Sequence, residues 1–225
     1  MRALVEQRQH AVDAEVAALL DDGLARLGLD AGVGARQAML NHLEMLARWN
    51  RTMNLTAVAD PLRAVIVHVL DSLSIAPHLA GPRVIDVGSG AGFPGLPLAF
   101  LRPDLEFTLL DSRDRKLRFV SEVLRATGTA NVTLANERVE RYFPAGKFDT
   151  LVARAFSSLA DLVRLARHLV APGARLLAMK GAHPQAELDA LAGPDVRADV
   201  VPLEVPFLDA RRHLVIIQFD ESEER

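Results

Sequence analysis

Thirteen consecutive residues, Arg83-Val-Ile-Asp-Val-Gly-Ser-Gly-Ala-Gly-Phe-Pro-Gly95, constrain this chain more than any other stretch, because they join an apolar strand, an acid and a glycine turn. Val84, Ile85 and Val87 supply the β-branched residues of a buried strand. Asp86 falls near its carboxyl end, where open α/β sheets place their ligands. Gly88, Gly90 and Gly92 lack Cβ atoms, so the chain can turn tightly there and a ligand can approach the backbone. Pro94 and Pro97 suit a first helical turn, where a missing N–H is no loss, so a helix is expected to begin near Pro94. Strand, acid, glycine turn and helix together describe a cofactor cradle.

The pattern G-x-G-x-x-G occurs as Gly90-Ala-Gly-Phe-Pro-Gly95, but it starts two residues later than a dinucleotide fingerprint that abuts its strand. A carboxylate ahead of a G-x-G-x-G turn suits a ligand with an ammonium group, an adenosine and no phosphate. S-adenosylmethionine meets that description better than a nicotinamide dinucleotide does. Downstream residues agree. Glu106-Phe-Thr-Leu-Leu-Asp111 reads as a second strand ending in an acid, and Asp111 lies 23 positions after Gly88, close to the spacing at which a carboxylate receives ribose hydroxyls. A third strand, Asn131-Val-Thr-Leu-Ala135, is followed by Asn136, Glu137, Arg138, Val139 and Glu140, where such folds contact an adenine ring. Asn136, Glu137 and Glu140 read equally well as solvated loop polars.

Seven blocks then fall in register: Asn54-Leu-Thr-Ala57, His68-Val-Leu-Asp-Ser72, the run from Asp86 to Gly95, Leu109-Leu-Asp-Ser112, Arg138-Val-Glu140, Ala153-Arg-Ala-Phe-Ser-Ser-Leu159 and Met179-Lys-Gly181. Over roughly residues 38 to 181 the chain resembles the bacterial 16S rRNA guanine-N7 methyltransferase family RsmG, also called GidB. That resemblance implies that Gly88, Phe93, Val139, Glu140 and Arg154 line an S-adenosylmethionine pocket, with Asp111 on the ribose. It names 16S rRNA or the small ribosomal subunit as partner. Ala153 stands where the family pattern has a serine, a small-for-small exchange. Arg113-Asp114 replaces a Leu-Gly-like pair and adds charge beside the cofactor-side helix.

After Gly81 strands and helices alternate. Strands are expected near 83–87, 106–110, 131–135, 148–153 and 174–179, with helices near 94–101, 113–127 and 158–169. Such alternation calls for right-handed crossovers and a mainly parallel sheet. Two late strands, near 199–206 and 211–219, are close enough for an antiparallel hairpin. The expected fold is therefore a Rossmann-like class I S-adenosylmethionine-dependent methyltransferase, with a mostly parallel seven-stranded sheet and an antiparallel last strand. Helical apolar spacing over 11–29 and 35–49, and a third helical stretch opened by Pro61 and closed by Pro77, add an N-terminal helical extension. The division expected is 1–80 for the extension, 81–219 for the methyltransferase domain and 220–225 for an acidic tail.

Composition narrows the function further. The chain has no cysteine, which excludes disulfides, thiolate zinc sites and a thiolate nucleophile such as pyrimidine C5 methylation needs. The fourth strand leads into Ala153-Arg-Ala-Phe156 rather than the Asn/Asp-Pro-Pro-Tyr/Phe turn common in exocyclic amine methylation. Guanine N7 carries a free lone pair at neutral pH, so its methylation requires alignment and electrostatics but no general base. No catalytic residue is therefore assigned. Lys180 could neutralise a phosphate or belong to a ribose-methylating lysine set. His68 and Asp71, three apart on a helix, invite a metal reading, but no third ligand has recognisable spacing and no metal is expected.

The net charge of −3 equals that of the tail from Asp220 to Arg225, so the body is neutral and a nucleic-acid footprint must be local. Five bases against two acids over 113–125 make that helix the candidate, with Arg115, Arg118 and Arg125 opposite Leu117, Val120 and Leu124. A solvated helix face is the plainer reading. Glu6, Asp13 and Glu15 at the amino terminus, with no long apolar block, lead us to expect no secretory signal or membrane span, a cytoplasmic location, no DNA partner and a monomer. A nucleotide-dependent oxidoreductase and a non-catalytic adenosine-ligand sensor that binds RNA are the competing readings.

Overall fold

The computed structural model describes residues 2–191 and 196–219, with side chains from residue 10 onward; the expected acidic tail, 220–225, lies outside the described residues. Seven strands form one sheet in the order β3-β2-β1-β4-β5-β7-β6: β1 Arg83–Val87, β2 Glu106–Leu110, β3 Val132–Ala135, β4 Phe148–Arg154, β5 Val170–Lys180, β6 Val196–Leu203 and β7 Arg212–Phe219. β1 through β5 pair in parallel, and β7 runs antiparallel to both β5 and β6. The order reverses between β1 and β4, since β2 and β3 build outward on one side of β1 and β4 begins the other. The crevice outside the carboxyl ends of β1 and β4 is therefore the topological switch point, where open α/β sheets bind ligands.

Alternation along the strands explains why both faces are covered. Val84, Phe107, Leu109, Val152, Leu177 and Leu214 point into one core, whereas Ile85, Val87, Leu110, Leu151, Ala153, Leu176 and Val215 point into the other. The first core is shared with the N-terminal helices α1 (Arg2–Arg26) and α2 (Val33–Met53), with α5 (Gly95–Leu101) and with α6 (Asp114–Thr127). α7 (Leu159–Ala166) and α8 (Gln185–Leu191) close the second. Ser158 caps α7 by accepting from Asp161 N at 3.1 Å, and Gly128, at φ 66, ends α6 in the left-handed conformation that a β-carbon disfavours.

The third helical stretch is not one α-helix. After the turn α3 (Pro61–Ala64), residues Val65–Leu70 widen into a π-helix before the short α4 (Asp71–Leu73). Periodicity does not distinguish such a widened turn from α-helix. Other expectations shift too: α1 spans Arg2–Arg26 rather than 11–29. β5 starts at Val170, four residues early, because the pairing with β4 continues through an irregularity around Pro172 and Gly173, residues that look like a break in sequence. β6 ends at Leu203 rather than 206, since Pro206 offers no ladder N–H and residues 204–211 form the hairpin connection. α8 has no counterpart among the expected helices: it is only seven residues long, and Leu191 is its one buried residue.

Candidate cofactor and active site

The glycine turn sits at the switch point. Gly88, at φ +75, donates its N–H to Leu110 O at 2.8 Å, and a Cβ built on it would meet nothing within 4 Å, so its open face looks into free space. Gly90, at φ +60, donates to Asp111 Oδ2 at 2.9 Å, while Asp111 Oδ1 accepts from Arg113 N at 2.8 Å. Asn136 Nδ2 donates to the Asp111 carbonyl at 2.9 Å, tying the end of β3 to the end of β2. A cavity of about 430 Å³ opens there, lined by Gly88, Asp111, Val139 and Glu140, together with Arg113, Lys116, Glu137, Arg138 and Phe156. Four of the six residues expected to bind the cofactor thus share one cavity. Glu137 is among its walls, but Asn136 acts on the backbone.

Phe93 and Arg154 do not line that cavity; they meet each other instead, with the Arg154 guanidinium carbon 5.4 Å from the Phe93 ring centre. Phe93 is buried and stacks on two imidazoles, His42 of α2 at 4.4 Å and 13° and His68 of the π-helix at 4.8 Å and 21°. His42 Nε2 lies 2.8 Å from Ala91 O, and because a carbonyl only accepts, the proton sits on Nε2. His68 Nε2 is 2.9 Å from Thr56 Oγ1. Burial pushes both imidazoles down to about 4, so both are neutral at pH 7. The N-terminal helices therefore grip the turn after β1 through an apolar, uncharged stack.

Asp86 is fully buried. Its Oδ2 accepts from Gly95 N at 2.8 Å, and among the described residues its Oδ1 has no partner. Burial, the largest cause, and the nearby Asp111 charge push this carboxyl up to about 7, against the Gly95 bond and the Arg154 charge, which pull it down. Arg154 ends β4, where Asp86 pairs with Val152 in register, so two residues further on the neighbouring chains have reached Gly88 and Arg154. Arg154 Nη1 donates to Val67 O at 3.1 Å and to Asp71 Oδ2 at 3.2 Å, and Arg212 Nε donates to Asp71 Oδ1 at 2.8 Å.

The His68 and Asp71 pair thus faces protein, not a metal: His68 turns to Thr56 and Phe93, Asp71 to two arginines. Among the described residues no three His, Asp or Glu side chains cluster as metal ligands. Lys180, which from sequence could neutralise a phosphate or belong to a ribose-methylating lysine set, pairs with Glu187 of α8 at 2.8 and 3.0 Å and is largely buried. On α6, Arg118 and Arg125 are exposed but paired with Asp114 and Glu122, each at 2.7 Å. The role of Asp71 has no sequence signal, because its partners lie 83 and 141 positions away.

A buried acid with a free oxygen, a nearby guanidinium, and an acid-floored cavity under a glycine turn can hold an adenosine joined to an amino acid. Solved structures similar to this one are alike in fold only: cofactor-bound Rv0187 from MTB superposes with a TM-score of 0.60 at 14% identity, over 83% of this chain and 91% of that one. The O-methyltransferase TomG from Streptomyces achromogenes, in complex with SAM, gives 0.54 at 18%, over 80% and 89%. The fold is that of the class I S-adenosylmethionine-dependent methyltransferases. Sequence relatives are nearer. The ribosomal RNA small subunit methyltransferase G of Chromobacterium violaceum is 46% identical over 87% of this chain and 94% of its own length. That of Stenotrophomonas maltophilia is 46% identical over 93% and 98%. The GidB profile, described as rRNA small subunit methyltransferase G, matches residues 35–215, and the chain belongs to that methyltransferase family.

Proposed function

We propose that this enzyme transfers a methyl group from S-adenosylmethionine to N7 of a guanine in 16S rRNA, by direct in-line displacement and without a general base. The observation that carries the cofactor reading is the Asp86 Oδ1 atom, buried, within the field of Arg154 and without a partner among the described residues. A buried carboxylate oxygen in that condition is costly unless a cation meets it. An amino-acid zwitterion offers both the ammonium that Asp86 lacks and the carboxylate that suits Arg154. Asp111 accepts two backbone N–H bonds, yet an ionised carboxylate has lone pairs left for ribose hydroxyls.

When bound, the cofactor supplies an electrophilic sulfonium methyl. Gly88 admits the ligand to the backbone, Asp111 orients the ribose, Val139 and Glu140 flank the adenine, and Arg154, braced on Phe93, holds the amino-acid end. The residues 1–80 cap the mouth of the unit 81–219 from the Phe93 side, so the acceptor base enters between them. Because guanine N7 presents a lone pair, these residues need only align it and exclude water. Family membership and the names of the relatives support rRNA of the small subunit as the substrate; that a cytoplasmic monomer acts on it is part of the same proposal.

Single-turnover transfer of labelled methyl to 16S rRNA and to small subunits, followed by mapping of the modified base, tests this reading. The label is expected on guanine N7. Label on another atom would overturn the chemistry, and no transfer to either substrate would overturn the assignment. Arg154→Ala should lower transfer about 10- to 100-fold, the effect of removing a charge-assisted hydrogen bond, with circular dichroism unchanged.

A further inference from the structure

Arg154 reaches its place through a residue on another element. Asp71, only 3% exposed, stands at the junction of the π-helix and α4 and bridges Arg154 to Arg212. A buried carboxylate with two guanidinium partners is over-compensated, and one positive charge is left to meet an anion. The two arginines differ in what they have free. Arg212 uses Nε on Asp71 and Nη1 on the Arg211 carbonyl. Arg154 uses Nη1 alone, shared between Asp71 and Val67 O, so among the described residues its Nε and Nη2 donors make no hydrogen bond. Val67 lies inside the π-helix, whose widened turn places its carbonyl against the same guanidinium nitrogen that Asp71 holds.

We propose that Asp71 is a positioning residue for the cofactor's carboxylate: with the Val67 carbonyl, it fixes one nitrogen of Arg154 so that the remaining fork is presented, already ordered, to that anion. This rests on the cofactor reading above and adds to it a residue of the N-terminal extension. The planar guanidinium makes the arrangement effective, since anchoring one nitrogen sets the direction of the other donors. A long side chain held in its bound geometry also loses less freedom when the ligand arrives. Arg212 keeps the shared carboxylate charge-balanced when Arg154 turns part of its charge to the ligand.

Isothermal titration of the full-length protein with S-adenosylhomocysteine and, separately, with 5′-methylthioadenosine, which lacks the amino-acid end, tests the proposal. Asp71→Asn is expected to weaken S-adenosylhomocysteine at least tenfold and 5′-methylthioadenosine less than twofold. In an Arg154→Ala background the same change should cost less than twofold more, because Asp71 acts through Arg154. Asp71→Glu keeps the charge both arginines need and so preserves the fold; displacing Arg154 by a methylene, it should weaken S-adenosylhomocysteine three- to tenfold and again spare 5′-methylthioadenosine. Equal loss of both ligands would make Asp71 a purely structural residue, and unchanged S-adenosylhomocysteine binding in both variants would overturn the proposal outright. Wild-type protein that binds neither ligand would overturn the cofactor reading itself, and this proposal with it.

Discussion

The proposed cofactor site has two halves built in different ways. On one side Gly88, Asp111, Val139 and Glu140 come from loops that follow β1, β2 and β3, and short-range bonds tie adjacent strand ends together, the Asp111 carboxylate accepting from Gly90 N and the Asn136 amide donating to the Asp111 carbonyl. On the other, Phe93, Arg154, Asp71 and Arg212 come from the turn after β1, the end of β4, the N-terminal helices and the start of β7, and buried rings and ion pairs hold them. The first half is a property of the βα unit. The second exists only while the helical extension is packed on the sheet, because removing α2 and the π-helix removes both imidazoles on Phe93 and the anchor of Arg154. Ligand affinity should therefore depend on local turn geometry in one half and on the integrity of the core in the other.

Acid should break the second half first, and it carries the largest expected effect. His42 and His68, at about 4 when folded and near 6.5 when unfolded, contribute stability that is full above pH 6.5 and lost as pH falls toward 4. Asp86 works in the opposite sense. Raised to about 7 from 3.8, it holds a proton in the folded state that the unfolded chain has given up, so stability falls as pH rises between those values. Over pH 4 to 6.5 two imidazoles therefore oppose one carboxyl, and their net contribution is a loss of about 1.4 kcal/mol per unit of acidification. Asp86→Asn keeps an acceptor for Gly95 N and removes the opposing effect. It should roughly double that acid sensitivity and stabilise the ligand-free protein at pH 8 by up to about 4 kcal/mol. Denaturant melts across pH check both, and an unchanged pH slope in the variant would show that Asp86 ionises normally.

The first half should answer to turn geometry without loss of stability elsewhere. Gly88→Val puts a β-branched side chain at φ +75 and fills the open face, so ligand affinity should fall by about 100-fold. Asp111→Ala removes the carboxylate proposed to accept ribose hydroxyls and leaves Gly90 and Arg113 N–H groups without it, for an expected loss of about 1.5 to 3 kcal/mol in cofactor binding. Titration with S-adenosylhomocysteine measures each. Unchanged affinity in both variants would remove the cavity from the cofactor site.

The smallest effect is expected outside both halves. Replacing Arg115, Arg118 and Arg125 with glutamine should lower the salt slope of RNA binding by about 0.7 to 0.9 for each phosphate no longer neutralised, and leave cofactor affinity alone. Arg118 and Arg125 must exchange their partners Asp114 and Glu122 for phosphate, which keeps the gain from each exchange small. An unaltered slope would take α6 out of the RNA surface.

Legibility follows the same division. β1 and β2 are readable to the residue, since continuous β-branched and apolar runs end in an acid and a turn. The bounds of β5 and β6 differ by several residues from those the sequence suggests, because Pro172, Gly173 and Pro206 punctuate the sequence differently from the ladder, which tolerates an irregularity in β5 and ends β6 early. Helix α8 and its Glu187 escape a sequence reading because seven residues are too few to show a helical period, and with them goes the reason Lys180 is already paired.

Local chemistry by itself determined the turn at the switch point of this protein: a strand, the acid of Asp86, glycines at positive φ and a second acid at Asp111 are close in sequence, and each acts over a few residues. Motif resemblance extended that to the enzyme class. Only the tertiary structure decided that Asp86 is fully buried with one oxygen unpaired among the described residues, that Phe93 is stacked on two neutral histidines, and that Asp71 joins Arg154 to Arg212. Those facts depend on burial and on contacts across 83 and 141 positions, and neither burial nor long-range proximity has a period or a spacing that a linear chain can display.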